Sequence, residues 1–226
     1  MKTYIRRRET NNDLIIVFGG WGSDQNAFLP LTSDDHDLIL YYNYSADEPL
    51  ILPDPKTYKS ITMIGWSLGI WAAEHLSGKM DLKPDLSIAV SGTPYPADNL
   101  YGIPLEIFEG TLNHLSEKAW EKFNLRIFGD KKMLEKYRDR TSRRSLESLR
   151  EELRWMYNRI METHELNYKW NIAVASPEDR IFPFNNVHEF WSKRSSTKLV
   201  TIDAPHYPFF KWNNFREMIE DLKQGT

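Results

Sequence analysis

The chain has 226 residues, of which 41% are hydrophobic and 27% charged, and its formal net charge is −3. Such a length and composition are typical of one globular domain, so we treat residues 1–226 as a single domain. No apolar run approaches the roughly 18 residues needed to span a bilayer, and the basic segment 1–8 lacks the apolar region of a secretory signal. The absence of cysteine excludes disulfides, thiolate metal sites and a cysteine nucleophile. We therefore expect a cytoplasmic protein that does not insert into membranes.

Six segments are near-continuous runs rich in Ile, Val and Leu, a pattern typical of strands buried on both faces of a parallel sheet. They are residues 14–18, 38–41, 61–64, 87–90, 171–175 and 198–202. Helical patterns follow the third and fifth segments at residues 67–77 and 185–193, and another closes the chain at 213–223. This alternation predicts an α/β fold with a mostly parallel sheet of about six core strands.

Residues 97–168 interrupt the alternation, because they contain helical patterns and no convincing strand. They lie between the fourth and fifth predicted strands. Ligands of open α/β sheets bind at the carboxyl edge of the strands. We therefore predict that about residues 97–168 form a helical cap over that edge.

The sequence Gly-Trp-Ser-Leu-Gly at residues 65–69 fits the nucleophile-elbow pattern Gly-x-Ser-x-Gly, and it lies between a predicted strand and a predicted helix. The pattern makes Ser67 a candidate nucleophile, because the strained turn exposes its hydroxyl while the glycines avoid clashes. The backbone N–H of Leu68 would then face the developing oxyanion. The alternative is a structural serine that caps a helix.

A hydrolase with this elbow carries its catalytic acid and then its histidine later in the chain. His206 lies in a proline-bounded loop after the last predicted strand, whereas His188 falls within a helical pattern, so we predict His206 as the base. Asp179 follows the fifth strand and is the predicted acid. Glu178 is its rival, Asp98 is a weaker one, and a solvated acidic turn is the remaining alternative.

Gly-Gly-Trp-Gly at residues 19–22 follows the first predicted strand, where this fold places its second oxyanion donor. Glycines allow the backbone to approach a ligand, which makes the N–H of Trp21 the candidate donor. The pattern is not a dinucleotide fingerprint, because Gly-x-Gly-x-x-Gly is absent. The alternative is a flexible loop with a packed tryptophan.

Together these motifs resemble the BioG-type pimeloyl-[acyl-carrier protein] methyl ester carboxylesterases over nearly the whole chain. The segments that carry the resemblance are residues 18–22, 65–69, Asp179 and Ala-Pro-His-Tyr-Pro-Phe at 204–209. BioH-type esterases share the elbow, but their oxyanion loop commonly begins with His where this chain has Gly19. The resemblance implies an α/β-hydrolase of biotin synthesis that releases methanol from pimeloyl-acyl-carrier protein. It also implies that Ser67, Asp179 and His206 form a triad, with Trp21 and Leu68 as oxyanion donors.

Residues 131–159 contain ten Lys/Arg and five Asp/Glu, although the whole chain is acidic. Helical spacing predicts one apolar face over residues 146–160, which we interpret as core. It also places Arg143, Arg150 and Arg154 in a single stripe beside that face. These arginines suit a phosphate or an acidic carrier protein. The predicted carrier-binding set is Arg138, Arg143, Arg150 and Arg154. Alternatively, Glu147 and Glu151 pair with these arginines on a solvated helix face.

The sequence therefore predicts a serine carboxylesterase that acts through an acyl-enzyme and needs no metal or organic cofactor. Its expected partner is an acyl-carrier protein. Nucleic-acid binding is not expected, since the basic cluster lacks interleaved aromatic residues. Two alternatives remain open: another esterase or thioesterase of this fold with a small acyl substrate, and a binding protein of this fold without catalysis.

Overall fold

The computed structural model describes residues 1–8, 11–46, 49–77, 83–163 and 166–225. Within these residues, seven strands form one sheet in the order β1-β3-β2-β4-β5-β6-β7. Among these described strands, β1 and β3 pair antiparallel and every other pair is parallel, so the predicted mostly parallel sheet is confirmed. The strands are β1 (Lys2–Arg6), β2 (Asp13–Phe18), β3 (Asp37–Tyr42), β4 (Ser60–Trp66), β5 (Leu86–Val90), β6 (Ile172–Ala175) and β7 (Lys198–Thr201).

All six predicted strands are present, with ends within two residues of the prediction. They were recognisable because most are buried nearly throughout; β3, for example, is buried at every residue. The additional strand, β1, pairs only with β3 at one edge of the sheet, and none of its residues is fully buried. An edge strand with basic residues at both ends carries no continuous apolar run, so its sequence gives no strand signal.

In the described residues, seven α-helices accompany the sheet. They are α1 (Gly69–Ser77), α2 (Leu105–Asn113), α3 (Glu117–Phe128), α4 (Lys131–Lys136), α5 (Leu146–Glu162), α6 (Phe184–Ser192) and α7 (Phe215–Gln224). Helices α2 to α5 lie between β5 and β6 in the chain, inside the region predicted to be helical. Over the described part of 97–168, the only β pairing is an isolated bridge between Ala97 and Ile103. In the described ranges, no helix combines the length and apolar character needed to cross a membrane.

Helix boundaries differ from the prediction where a local backbone feature intervenes. Helix α1 begins at Gly69 and not at Ser67, because Ser67 has a φ of 58° and cannot belong to a right-handed helix. Helix α7 begins at Phe215, because the Asn214 side chain caps it by accepting from the N–H of Glu217.

Helix α5 confirms its predicted apolar face, since Leu149, Leu153 and Met156 are almost fully buried. Its start corrects one expectation. Ser145 caps the helix, so Arg143 lies in the preceding segment and does not share a helical stripe with Arg150 and Arg154. A capping residue such as Ser145 ends the helix on its N-terminal side. The spacing of the arginines alone does not reveal where the helix begins.

Candidate active site

Ser67 occupies a sharp turn between β4 and α1, at the carboxyl edge of the sheet. Its backbone N–H donates to the carbonyl of Val90 at 2.9 Å, which ties the turn to β5. The elbow requires glycine two residues after the serine, because a Cβ on Gly69 would lie 2.1 Å from the carbonyl oxygen of Phe18. The positive φ of Ser67 is a strained conformation for a residue with a side chain. Strain of this kind is maintained where the position of the side chain matters for function.

His206 lies between Ser67 and Asp179. Its Nε2 is 2.9 Å from the Ser67 Oγ, and its Nδ1 is 2.7 Å from the Asp179 Oδ2. Because a carboxylate only accepts hydrogen bonds, Nδ1 carries the proton and Nε2 is free to accept the serine proton. All three side chains are buried, at 5% exposure for Ser67, 2% for His206 and 3% for Asp179. The structure thus brings together the three residues that the sequence placed in a triad.

The other carboxylates considered from the sequence lie elsewhere. The second oxygen of Asp179, Oδ1, accepts the N–H groups of Ile181 at 2.7 Å and Phe182 at 3.0 Å, which orients the carboxylate toward the imidazole. Glu178 is exposed to solvent. Asp98 accepts backbone N–H groups within its own turn. Of these candidates, Asp179 is the one in hydrogen-bond contact with His206.

Aromatic packing fixes the imidazole of His206. The ring of Phe182 lies nearly parallel to it, with an interplanar angle of 5° and ring centroids 5.9 Å apart. The indole of Trp66, from the elbow itself, packs on the imidazole and donates its Nε1–H to the carbonyl of His206 at 2.9 Å. These contacts hold the histidine loop against the elbow, so little ordering is needed when a substrate binds.

The loop at residues 19–23 passes directly beside the nucleophile. A Cβ on Gly20 would lie 2.9 Å from the Cβ of Ser67, so only glycine fits there. Among the residues that the structure describes, none accepts a hydrogen bond from the backbone N–H of Trp21 or of Leu68. The indole of Trp21 is nevertheless packed against Trp120 and Phe123. Trp21 is thus packed through its side chain, while its backbone N–H has no acceptor among the described residues.

A cavity of about 340 Å³ opens above Ser67 and His206, which is within the range of small-molecule sites. Its walls combine loops at the carboxyl edge of the sheet with residues of α2 and α3 and one residue of α5. They are largely apolar, with Ile107, Phe108, Phe123, Ile127 and Leu153 among them. Leu153 therefore belongs both to the core and to the cavity wall. A cavity of this size and lining can hold an apolar acyl group next to Ser67.

Two arginines, Arg126 and Arg180, also line this cavity. Arg180 donates to the carbonyl of Gly129 at 2.8 Å, and Arg126 projects from α3. Sequence reasoning missed both as cavity residues. The amphipathic pattern of α3 was the available signal, but it does not tell which neighbour the polar side of a helix meets.

The predicted carrier-binding arginines divide into two kinds. Arg138, Arg143 and Arg154 are exposed. Arg150 is partly buried and donates from Nη2 to the carbonyl of Leu115 at 3.0 Å, so it ties α5 to the segment before α3. The structure therefore gives Arg150 a packing role that its sequence position did not indicate.

Comparisons with known proteins give a consistent result. A family model described as "Pimeloyl-ACP methyl esterase BioG" matches residues 1–218. A malonyl-[acyl-carrier protein] O-methyltransferase of Bacteroides fragilis is 34% identical over 198 residues, which are 86% of this chain but only 39% of that protein's length. The crystal structure of BioG from Haemophilus influenzae superposes with a TM-score of 0.86 at 31% identity, covering 96% of this chain and 98% of that one.

An esterase from Exiguobacterium antarcticum shares the fold alone, with a TM-score of 0.67 at 12% identity over 98% of this chain and 93% of that chain. Together with the sheet order, these likenesses confirm the α/β-hydrolase fold predicted from the sequence.

Proposed function

Because the chain belongs to the BioG family of pimeloyl-acyl-carrier-protein methyl esterases, we propose that it hydrolyses the methyl ester of pimeloyl-acyl-carrier protein through an acyl-enzyme on Ser67. The observation that carries the mechanism is the chain of hydrogen bonds from Ser67 through His206 to Asp179 beneath an apolar cavity. Buried, oriented groups of this kind need no metal or cofactor to cleave an ester.

In the proposed first step, the Ser67 Oγ attacks the ester carbonyl while His206 Nε2 takes its proton. Asp179 stabilises the imidazolium that forms and keeps the imidazole in the tautomer that accepts at Nε2. The N–H groups of Trp21 and Leu68 donate to the oxyanion of the tetrahedral intermediate. His206 then protonates the departing methoxide, and a water activated by the same imidazole hydrolyses the acyl-enzyme.

The partner in this proposal is the acyl-carrier protein that carries the pimeloyl chain. The exposed Arg138, Arg143 and Arg154 belong to the segments before and along α5, which supplies part of the cavity wall. We propose that they attract the acidic carrier, with Arg150 contributing less because it is bonded to Leu115. Docking would also decide that the terminal ester, and not the thioester, reaches Ser67. Because the proposed substrate is a biosynthetic intermediate, we propose that the enzyme acts in the cytoplasm. No nucleic acid enters the proposal.

Labelling with a fluorophosphonate probe tests the nucleophile. We expect labelling of the wild type and none of Ser67→Ala. Ser91→Ala is a matched control, because Ser91 is also buried and also has a positive φ, 53°, at the end of β5. Equal labelling of wild type and Ser67→Ala would refute the proposed nucleophile.

The substrate is tested separately with methyl pimeloyl-acyl-carrier protein and a short-chain p-nitrophenyl ester. We expect hydrolysis of the carrier-bound methyl ester, with the thioester left intact. Hydrolysis of the p-nitrophenyl ester alone would leave an esterase but contradict the carrier substrate.

A further inference from the structure

Glu152 is a fully buried carboxylate on α5 that the proposed triad does not use. Its Oε2 accepts the N–H of Gly22 at 2.9 Å and the Nη1 of Arg144 at 2.6 Å, while its Oε1 accepts the N–H of Tyr44 at 2.9 Å. A buried carboxylate is costly unless it is paired and hydrogen-bonded, and here both oxygens are satisfied. Such an arrangement concentrates three donors on one side chain next to the oxyanion loop, residues 19–23.

The orientation of the Trp21 N–H is determined by the peptide unit that it shares with Gly20. The carbonyl of that unit accepts two hydrogen bonds from Ser23, one from its N–H at 3.1 Å and one from its Oγ at 2.7 Å. In a planar trans peptide the C=O and N–H point in opposite directions. Holding the carbonyl on the Ser23 side therefore directs the Trp21 N–H away from it.

Helix α5 holds the remainder of the same loop. The indole Nε1 of Trp21 donates to the carbonyl of Leu149 at 2.8 Å, and the next residue, Gly22, is bound by Glu152. Gly22 has a φ of 75°, a conformation that glycine adopts readily. The two contacts lie one helical turn apart on α5, so one rigid element determines the loop's position beside Ser67.

Arg144 makes this arrangement compatible with catalysis. A bare carboxylate near the site would oppose the negative charge that develops on the substrate oxygen. The Arg144 guanidinium is also buried, at 7% exposure, and it neutralises Glu152 directly. It further donates to the Ser23 carbonyl at 3.3 Å, which connects the ion pair to the loop a second time.

We propose that Glu152, neutralised by Arg144, is a positioning residue that sets the Trp21 N–H as an oxyanion donor. The inference rests on the proposed ester hydrolysis. It makes the inserted helices part of the oxyanion hole as well as the cavity wall, because α5 supplies both Glu152 and the cavity residue Leu153.

The test compares Glu152→Gln and Ser23→Ala with wild type on a short-chain p-nitrophenyl ester. Complete loss of an oxyanion donor lowers kcat by about 10²- to 10³-fold, so a misdirected donor is expected to lower it by roughly 10-fold or more, with KM within about twofold. A trifluoromethyl ketone, which adds to the serine as a tetrahedral oxyanion, is expected to bind more weakly by the same factor. If Glu152 served only in folding, its replacement would lower the melting temperature without lowering both kcat and the affinity for the ketone.

Glu74→Gln is the matched control, because Glu74 is also a buried glutamate that accepts an indole and a backbone N–H, but on α1. An unchanged kcat and ketone affinity in folded Glu152→Gln would overturn the proposal, as would an equal loss in Glu74→Gln. If Glu152→Gln does not fold, Arg144→Lys, which keeps the positive charge but replaces the guanidinium that binds both Glu152 and the Ser23 carbonyl, decides on the same criteria. If wild type hydrolyses neither this ester nor the carrier substrate, the proposed function fails first and the inference fails with it.

Discussion

Replacing Asp179 by Asn tests whether a carboxylate is needed to orient His206, because Asn keeps the size of the side chain but changes its hydrogen bonding. The Oδ1 position accepts two backbone N–H groups, from Ile181 and Phe182, so the amide oxygen of Asn must occupy it. The amide NH₂ then points at His206 Nδ1, which lies only 2.7 Å from Oδ2 in the wild type. A donor in that position forces Nδ1 to accept, and the imidazole proton moves to Nε2.

The magnitude follows from this change of tautomer. With a proton on Nε2, the atom 2.9 Å from Ser67 Oγ can no longer take the serine proton. Forcing the wrong tautomer in a triad lowers kcat by about 10⁴-fold. That factor corresponds to about 5 kcal/mol of lost transition-state stabilisation. The fold should be unaffected, because the backbone contacts of Oδ1 are kept.

The assay is steady-state hydrolysis of a p-nitrophenyl ester, with the melting temperature measured in parallel. Glu178→Gln is the control, since Glu178 is the adjacent exposed carboxylate. We expect it to retain kcat within about twofold, as surface substitutions do. A kcat for Asp179→Asn within tenfold of wild type, or a large loss in Glu178→Gln instead, would refute the assignment of the acid.

Three further expectations concern stability, docking and the elbow. Burial raises the pKa of Glu74 from 4.5 to about 7, so the folded state binds a proton that the unfolded state releases. Stability should therefore fall between about pH 4.5 and 7, by up to about 3 kcal/mol, and Glu74→Gln should flatten that part of a pH series of urea unfolding curves. The double variant Arg138→Glu with Arg154→Glu should raise KM for the carrier substrate roughly tenfold and leave KM for the p-nitrophenyl ester unchanged. The control Lys59→Glu, before β4, should change neither KM, and equal effects of the double variant on both substrates would contradict docking. Gly69→Ala should lower the melting temperature and abolish labelling of the serine, because its Cβ would overlap a backbone oxygen; a stable, labelled variant would contradict the elbow geometry.

The elements that the sequence predicted are those whose signal is local. Ser67 lies in a five-residue motif, and buried strands such as β3 are continuous apolar runs. The loops holding Asp179 and His206 follow from chain order, because this fold presents its acid and base after successive strands. Each of these features is recognisable without knowing what packs against it.

The features that were missed depend on contacts between distant segments. Glu152 stands beside Glu151 in the middle of a charged helix, and nothing nearby indicates that one is fully buried while the other is exposed. Its partners, Gly22 and Tyr44, are 130 and 108 residues away in the chain. Strand β1 was missed for a related reason, since its pairing with β3 depends on backbone hydrogen bonds that any sequence can make.

The insertion of α2 to α5 between β5 and β6 also determines when the site can form during synthesis. The loop at residues 19–23 and Ser67 directly follow the early strands β2 and β4, whereas Asp179 and His206 come only after the inserted helices. As a chain emerges from the ribosome N-terminus first, its first half can pair β1 to β5 while the site has no acid and no base. β6 and β7 must add beside β5 before Ser67 meets His206. On the proposed mechanism, a nascent or C-terminally truncated chain therefore has no esterase activity until β6 and β7 have joined the sheet.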